Sequence, residues 1–319
     1  MTTRINDFKY IYGPVPSRRL GRSLGIDLLP SKICSYDCIY CQLGRTIQKT
    51  IFRKEYVPTN DVLKEIKRKI LENCEMDFIT FAGSGEPSLH KNLKELILGV
   101  KEMTKTPIAV LTNGSLLYQK EVSDALINAD IVIPSLDAGS RNTFLKVNRP
   151  SPSIDFQKMC EGLVNFSKIF KGNFWLEIMV VKGYNDGYKE LEKISTLVDQ
   201  MKVSKIQLNT VVRPPAEQFA EPVTEDQLKS IRKFFKTEVE IIEKVDNKVQ
   251  SSLGSQQEEL ENRIVALTKR RPVTIEDISE GLSVKIAEVA KAVTNLLSKN
   301  RIKRQIKEGK SFYTGNNQQ

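Results

Sequence analysis

The chain has 319 residues, 40% of them hydrophobic and 28% charged, which is the composition of a folded protein with apolar material for about two domains. No apolar run approaches the ~18 residues of a membrane helix. The opening stretch MTTRINDFKYIYGPVP has no secretory core, so a cytoplasmic protein with no membrane partner is expected. The net charge of +10 is uneven: residues 1–54 hold ten Lys or Arg against three Asp or Glu, and residues 299–310 hold six against one. Such patches suit a polyanionic partner such as nucleic acid, although a solvated basic surface reads the same way.

From about residue 24 to 240, short β-rich runs alternate with amphipathic helical runs. The expected strands are 24–30, 76–83, 106–113, 129–137, 173–183 and 204–212, with a last one at 237–245. Between them, residues 60–74 place Val62, Leu63, Ile66, Ile70 and Leu71 on one stripe near the 3.6 period; residues 116–129 and 189–201 behave alike. Repetition of strand, helix and parallel strand implies a parallel sheet with helices outside, as an open sheet or as a barrel. Polar, Gly-rich segments follow several strands: GSGEP at 83–87, TNGS at 112–115 and SLD at 135–137. In parallel α/β folds that edge binds ligands.

Residues 246–257, DNKVQSSLGSQQ, are nearly free of apolar side chains and read as a linker. This divides the chain into a domain over 1–245 and a second over 258–319. The second shows helical runs at 259–272, 274–282 and 283–300, with N-cap signals at Thr274 (with Asp277) and Ser283, then two short strands about a Glu308-Gly309 turn. Three helices and a hairpin resemble a winged helix-turn-helix domain. That resemblance would make the run from Ser283 a recognition helix and 301–315 a wing, with Lys285, Lys291, Lys299, Arg301, Lys303 and Arg304 available to phosphates. Binding to protein, or packing on the chain's own first domain, is the competing use.

Five cysteines are too few and too unevenly spaced for a secreted disulfide framework. Three of them, Cys34, Cys38 and Cys41, form a Cys-x3-Cys-x2-Cys run that can converge on one iron–sulfur cluster and leave one iron without a protein ligand. A zinc site completed by Cys74 or His90 is the alternative on spacing alone. Cys74 and Cys160 otherwise read as core thiols, and His90 as a packing residue.

This spacing, with Tyr40 just before the last cysteine, resembles the radical S-adenosylmethionine (SAM) superfamily over roughly residues 20–215. Gly83-Ser84-Gly85-Glu86-Pro87 is similar to the superfamily's GGE-type motif, with Ser at the second position. Thr112-Asn113-Gly114, Ser135-Leu136-Asp137 and Met179-Val-Val-Lys182-Gly-Tyr-Asn185-Asp186 resemble SAM-contacting segments of relatives such as the molybdenum-cofactor cyclase. The resemblance implies a partial (β/α)6 TIM-like barrel carrying a [4Fe–4S] cluster on the three cysteines, with SAM chelating the open iron. It places Tyr40 near the adenine. It makes Gly83, Gly85, Glu86, Asn113, Ser135 and Lys182 SAM-site residues, Glu86 accepting from the SAM amino group. It further implies reductive SAM cleavage, fed by a one-electron donor such as flavodoxin or ferredoxin, and radical attack on a substrate.

The opening Gly13-Pro14-Val-Pro16-Ser17-Arg18-Arg19-Leu20-Gly21-Arg22-Ser23-Leu24-Gly25, with Gln42-Leu43-Gly44 after the last cysteine, resembles a poorly characterised radical SAM group related to wyosine synthases, which modify transfer RNA. True wyosine synthases carry further amino-terminal cysteines, and none precedes Cys34 here. Arg18, Arg19 and Arg22 are expected either to meet an anionic group of the substrate near the cluster or to form salt bridges. Three functions therefore stand open: modification of RNA, foremost transfer RNA; modification of a peptide or small metabolite; and an iron–sulfur DNA-binding regulator.

Overall fold

The computed structural model describes residues 8–17, 19–242, 257–282, 284, 286–307 and 309–316. Its elements in the first part are β1 (Ile11–Ser17), β2 (Gly21–Ile26), β3 (Ile33–Cys34), β4 (Gln48–Lys49), α1 (Thr59–Leu71), β5 (Phe78–Phe81), α2 (Leu93–Met103), β6 (Ile108–Thr112), α3 (Lys120–Leu126) and β7 (Ile131–Pro134). Then follow α4 (Arg141–Val147), α5 (Phe156–Ile169), β8 (Asn173–Val180), α6 (Tyr188–Val198), β9 (Lys205–Thr210), α7 (Glu225–Arg232) and β10 (Val239–Ile241). The C-terminal part contributes α8 (Gln257–Arg270), α9 (Ile275–Leu282), α10 (Ile286–Ser298) and the antiparallel pair β11 (Ile302–Lys307) and β12 (Lys310–Gly315).

The fold is α/β with a mostly parallel sheet. Eight strands run in the order β1-β2-β5-β6-β7-β8-β9-β10; every neighbouring pair is parallel except β1 with β2. All seven expected strands are present. β1, built from the IYGPVPS stretch, was not expected as a strand: two prolines and a glycine hid it, and it sits at the sheet's edge, where a missing N–H is tolerated.

The strand period explains the layers. Ile108, Val110, Val132, Leu176, Ile178, Ile206 and Leu208 point outward into the main core under the helices. The alternate positions Ala109, Leu111, Ile131, Ile133 and Trp175 point to the other face, where Leu20 packs among them. That inner face also carries polar groups: Ser23 bonded to Thr80, and Glu177 bonded to Asn209. Arg19, in the turn between β1 and β2, reaches Glu177 of β8. In a flat sheet β2 and β8 would be about 19 Å apart, far beyond one arginine side chain, so the sheet curls about its inner face.

In the C-terminal part, the sequence-read cap is present: Thr274 and Asp277 exchange backbone-to-side-chain bonds at the start of α9. Ser283, and all but the last residue of the 246–257 stretch, lie outside the described residues. The three helices and the hairpin share one apolar cluster that also includes Val15 of β1. Among the described residues, no helix is long and apolar enough to cross a membrane.

Candidate cluster and cofactor site

The loop after β2 carries the three cysteines, and the loops after β5, β6, β7 and β8 carry the other motifs, so all five stand at the carboxyl edge of one sheet. The cysteine loop is held by backbone bonds to distant segments. Asp37 N–H donates to the carbonyl of Asn148 (3.0 Å), Ile39 N–H to that of Val147 (2.9 Å), and Glu217 N–H to that of Ile39 (3.0 Å). Charges tighten the same seam. Arg45 pairs with Asp37 and with Glu217, and Arg149 pairs with Glu217 as well.

Two asparagine amides serve the sulfurs. Asn113 Nδ2 donates to Cys34 Sγ (3.5 Å) and to Ser35 Oγ (2.8 Å); Asn148 Nδ2 donates to Cys38 Sγ (3.5 Å) and to Asp137 Oδ2 (2.7 Å). Burial, reinforced by the charge of Glu86, pushes the Cys34 thiol up to about 12, and burial pushes Cys38 well above its ordinary value. Thiols held that way would give up their protons to solvent only as a metal centre took the sulfurs. Three thiols with amide donors on two of them suit an iron–sulfur cluster, whose properties respond to such hydrogen bonds.

The zinc alternative does not assemble. Cys74 precedes β5 at the opposite edge of the sheet, Cys160 is in the core, and the buried His90 ring bonds the carbonyl of Val57 (2.9 Å). Among the described residues, no three His, Cys, Asp or Glu side chains are grouped to hold a single metal ion.

Glu86 is almost fully buried and braces two motifs. Its Oε1 accepts from Ser88 N–H (3.0 Å) and the Thr112 hydroxyl (2.6 Å), and its Oε2 accepts from Asn113 N–H (2.7 Å). Burial raises its pKa, and those donors pull it back down. Oε2 has capacity for one more donor. The two glycines have steric reasons that the motif does not reveal. A Cβ on Gly83 would sit 2.3 Å from Asp27 Cγ, and one on Gly85 only 1.8 Å from the carbonyl oxygen of Ile33.

Tyr40 donates its hydroxyl to Asp137, the centre of a second network. Asp137 Oδ1 accepts from Met179 N–H (2.9 Å), and burial lifts the carboxyl to about 6. Sequence reasoning singled out Ser135 in the SLD segment, but the multiply bonded member is Asp137. A carboxylate ending a buried strand at the ligand edge was the available signal. Ser135 itself pairs its N–H with the Thr112 carbonyl. Asn148, which joins Asp137 to Cys38, carried no signal at all. Lys182 points outward and pairs with Glu221 (3.0 Å), both more than half exposed.

Of the three opening arginines, Arg18 lies outside the described residues. Arg19 enters the inner face and pairs with Glu177. Arg22 stands at the amino edge, paired with Glu75 and Asp77, and is not brought to the cysteines. Lys285 and the Lys291 side chain lie outside the described residues. Arg301 donates to Asn262 (3.1 Å), Lys299 pairs with Glu261, and Lys303 and Arg304 are exposed on β11.

A cleft of about 710 Å³ opens beside the cysteine loop, lined among others by Lys146, Arg149, Gly183, Tyr184 and Phe219. The Tyr184 and Phe219 rings stack with centroids 6.0 Å apart, and the Arg149 guanidinium stands 5.9 Å from the Phe219 centroid. Phe219 is 49% exposed.

Residues 28–194 match the model of the Radical SAM superfamily. The chain is 33% identical to the UPF0026 protein MJ1312 of Methanocaldococcus jannaschii, over 96% of this chain and 95% of that protein. It is 37% identical over 97% of its length to the GTPase Obg of Brachyspira hyodysenteriae, but spans only 45% of that relative, whose larger part lies outside the match. The structure of a radical SAM methyltransferase from Sphaerobacter thermophilus aligns over 69% of this chain and 65% of that one, with 13% identity and a TM-score of 0.52, and so shares the fold. The chain belongs to the Radical SAM superfamily. It is an enzyme of that type, a family that uses a [4Fe–4S] cluster and SAM and needs a reductant.

Proposed function

We propose that the enzyme modifies RNA, foremost transfer RNA, by radical chemistry begun at a cluster on Cys34, Cys38 and Cys41. When bound, the cluster and SAM supply one-electron cleavage of the sulfonium C–S bond and a 5′-deoxyadenosyl radical for hydrogen abstraction. The residues around them bind and shield. Asn113 and Asn148 hold the sulfurs of Cys34 and Cys38 by N–H donation. The spare acceptor capacity of Glu86 Oε2 takes the amino group of SAM, on the loop shaped by Gly83 and Gly85. Tyr40, fixed by Asp137, stands on the adenine side, and Ser135 and Asn113 line the same edge. The curled sheet acts as a partial (β/α)6 barrel over residues 1–245, with the Arg19–Glu177 pair on its inner face.

The observation that carries the RNA reading is the cleft. It offers the half-exposed Phe219 ring for a base and Lys146 for a phosphate, and Arg149, paired with Glu217, links it to the cysteine loop by accepting from Asp37 N–H at its carbonyl. The C-terminal part, residues 258–319 after a linker at 246–257, serves as a winged-helix docking module. In it Lys285, Lys291, Arg301, Lys303 and Arg304 offer charge to the RNA backbone. Flavodoxin or ferredoxin supplies the electron.

Nucleoside mass spectrometry of RNA from a deletion strain tests the reading, together with 5′-deoxyadenosine release by the reconstituted protein with and without RNA. One nucleoside lost in the deletion, and release stimulated by RNA, are expected. An unchanged nucleoside profile with release stimulated by a peptide or metabolite pool would sink the RNA assignment. Operator binding without 5′-deoxyadenosine would point to a regulator.

A further inference from the structure

The first two strands, which hold the distinctive opening segment, form the seat of the C-terminal part. Arg270, at the end of α8, lays its guanidinium over the Tyr12 ring, 4.7 Å from the centroid. One nitrogen, Nη1, donates to Asp27 Oδ2 (2.6 Å), and Nη2 donates to the carbonyl of Lys9 (3.3 Å). The Tyr12 ring has room because residue 25 is glycine: a Cβ there would lie 2.1 Å from its Cζ.

Two of these three partners of Arg270, Tyr12 and Asp27, grip the loop after β5. The Tyr12 hydroxyl donates to the carbonyl of Ala82 (3.2 Å). Asp27 accepts from Ser84 twice, Oδ2 from the hydroxyl (2.6 Å) and Oδ1 from the N–H (3.0 Å), and Oδ1 also takes Leu29 N–H (3.2 Å). Asp27 is 5% exposed. Burying a carboxylate that deep is costly unless a cation is paired with it and its oxygens are hydrogen-bonded, so its grip on Ser84 leans on the pairing. Arg270 supplies that cation from 243 residues away in sequence.

We propose that Arg270 is a positioning residue for the Gly83–Pro87 loop, so that the SAM site is complete only when the C-terminal part is docked on β1. The proposal rests on the SAM role given above to Gly83, Gly85 and Glu86. Docking then sets SAM affinity through the path Arg270, Asp27, Ser84.

Two measurements on the reconstituted full chain test it: equilibrium SAM affinity, and hydrogen exchange of the Ser84 amide in the absence of SAM. Arg270→Ala is expected to weaken SAM about tenfold, within the coupling range of residues sharing one bonded network, and to speed Ser84 exchange. Arg270→Lys, which keeps the charge but cannot cover Tyr12 and reach Asp27 and Lys9 together, falls between. Asp27→Asn loses affinity similarly, and the double variant Arg270→Ala/Asp27→Asn is no weaker than the worse single one. Unaltered affinity in Arg270→Ala, or losses that simply add in the double variant, overturn the proposal while leaving the SAM reading intact. A wild-type protein that binds no SAM overturns both, and the unmutated control identifies that case.

Discussion

Asp137 illustrates how much one side chain organises here. It holds Tyr40, Asn148 and the Met179 amide, and burial lifts its carboxyl to about 6 from an ordinary value near 3.8. Between about pH 4 and 6 the folded chain therefore keeps a proton that the unfolded chain has released. Stability contributed by this group is highest below pH 4 and falls as pH rises through 6, by about 3 kcal/mol in all. Asp137→Asn is expected to flatten that slope, read from denaturant melts of the metal-free protein at pH 4.5 and 7. The cysteines give a separate residue-scale test. Cys38→Ala should drop iron in anaerobically reconstituted protein from about four to under one per chain, whereas Cys160→Ala should leave iron content unchanged.

At the scale of elements, the loops after the strands are built by close approach. Gly85 lies against the Ile33 carbonyl, so Gly85→Ala must push β3 off its seat; a loss of about 3 kcal/mol in denaturant melts is expected. Gly183, with φ +75° and nothing near its missing Cβ, should cost only about 1 kcal/mol on the same substitution, from backbone preference alone. The elements were legible in the sequence where the signal is local. Seven strands show as short apolar runs, the Thr274 cap as a pair three residues apart, and the cysteine loop as a spacing. What stayed hidden is set across the chain. That Gly25 makes room for Tyr12 follows from the β1–β2 register, that Arg22 turns to Asp77 from the pairing of β2 with β5, and that Asn148 serves Cys38 from the packing of one loop on another. β1 stayed hidden because two prolines and a glycine interrupt its apolar pattern.

For the molecule as a whole, the sheet's first strand belongs to two cores. Tyr12 and Val15 pack with α8, α9 and α10, while Ile11 packs under α1. The same C-terminal part reaches the far side of the sheet, where Lys307 donates to the carbonyls of Val211 and Arg213, and Arg213 faces Asp277. It thus spans the gap between the sheet's two ends. Val15→Asp places a charge in the shared cluster and is expected to cost about 3 kcal/mol. It should also release hydrogen-exchange protection across residues 260–300 while protection in β6 and β7 persists; equal loss in both regions would show a single cooperative unit.

The anchors of the cysteine loop carry a consequence for biosynthesis. Asn113, Val147, Asn148 and Glu217 all leave the ribosome well after Cys41, and the last of them follows it by 176 residues. The nascent sulfurs thus wait, unclamped, until those residues have emerged. Iron donors that act before Glu217 has emerged would meet three loose thiols instead of a preset cradle, so metallation is expected after that point.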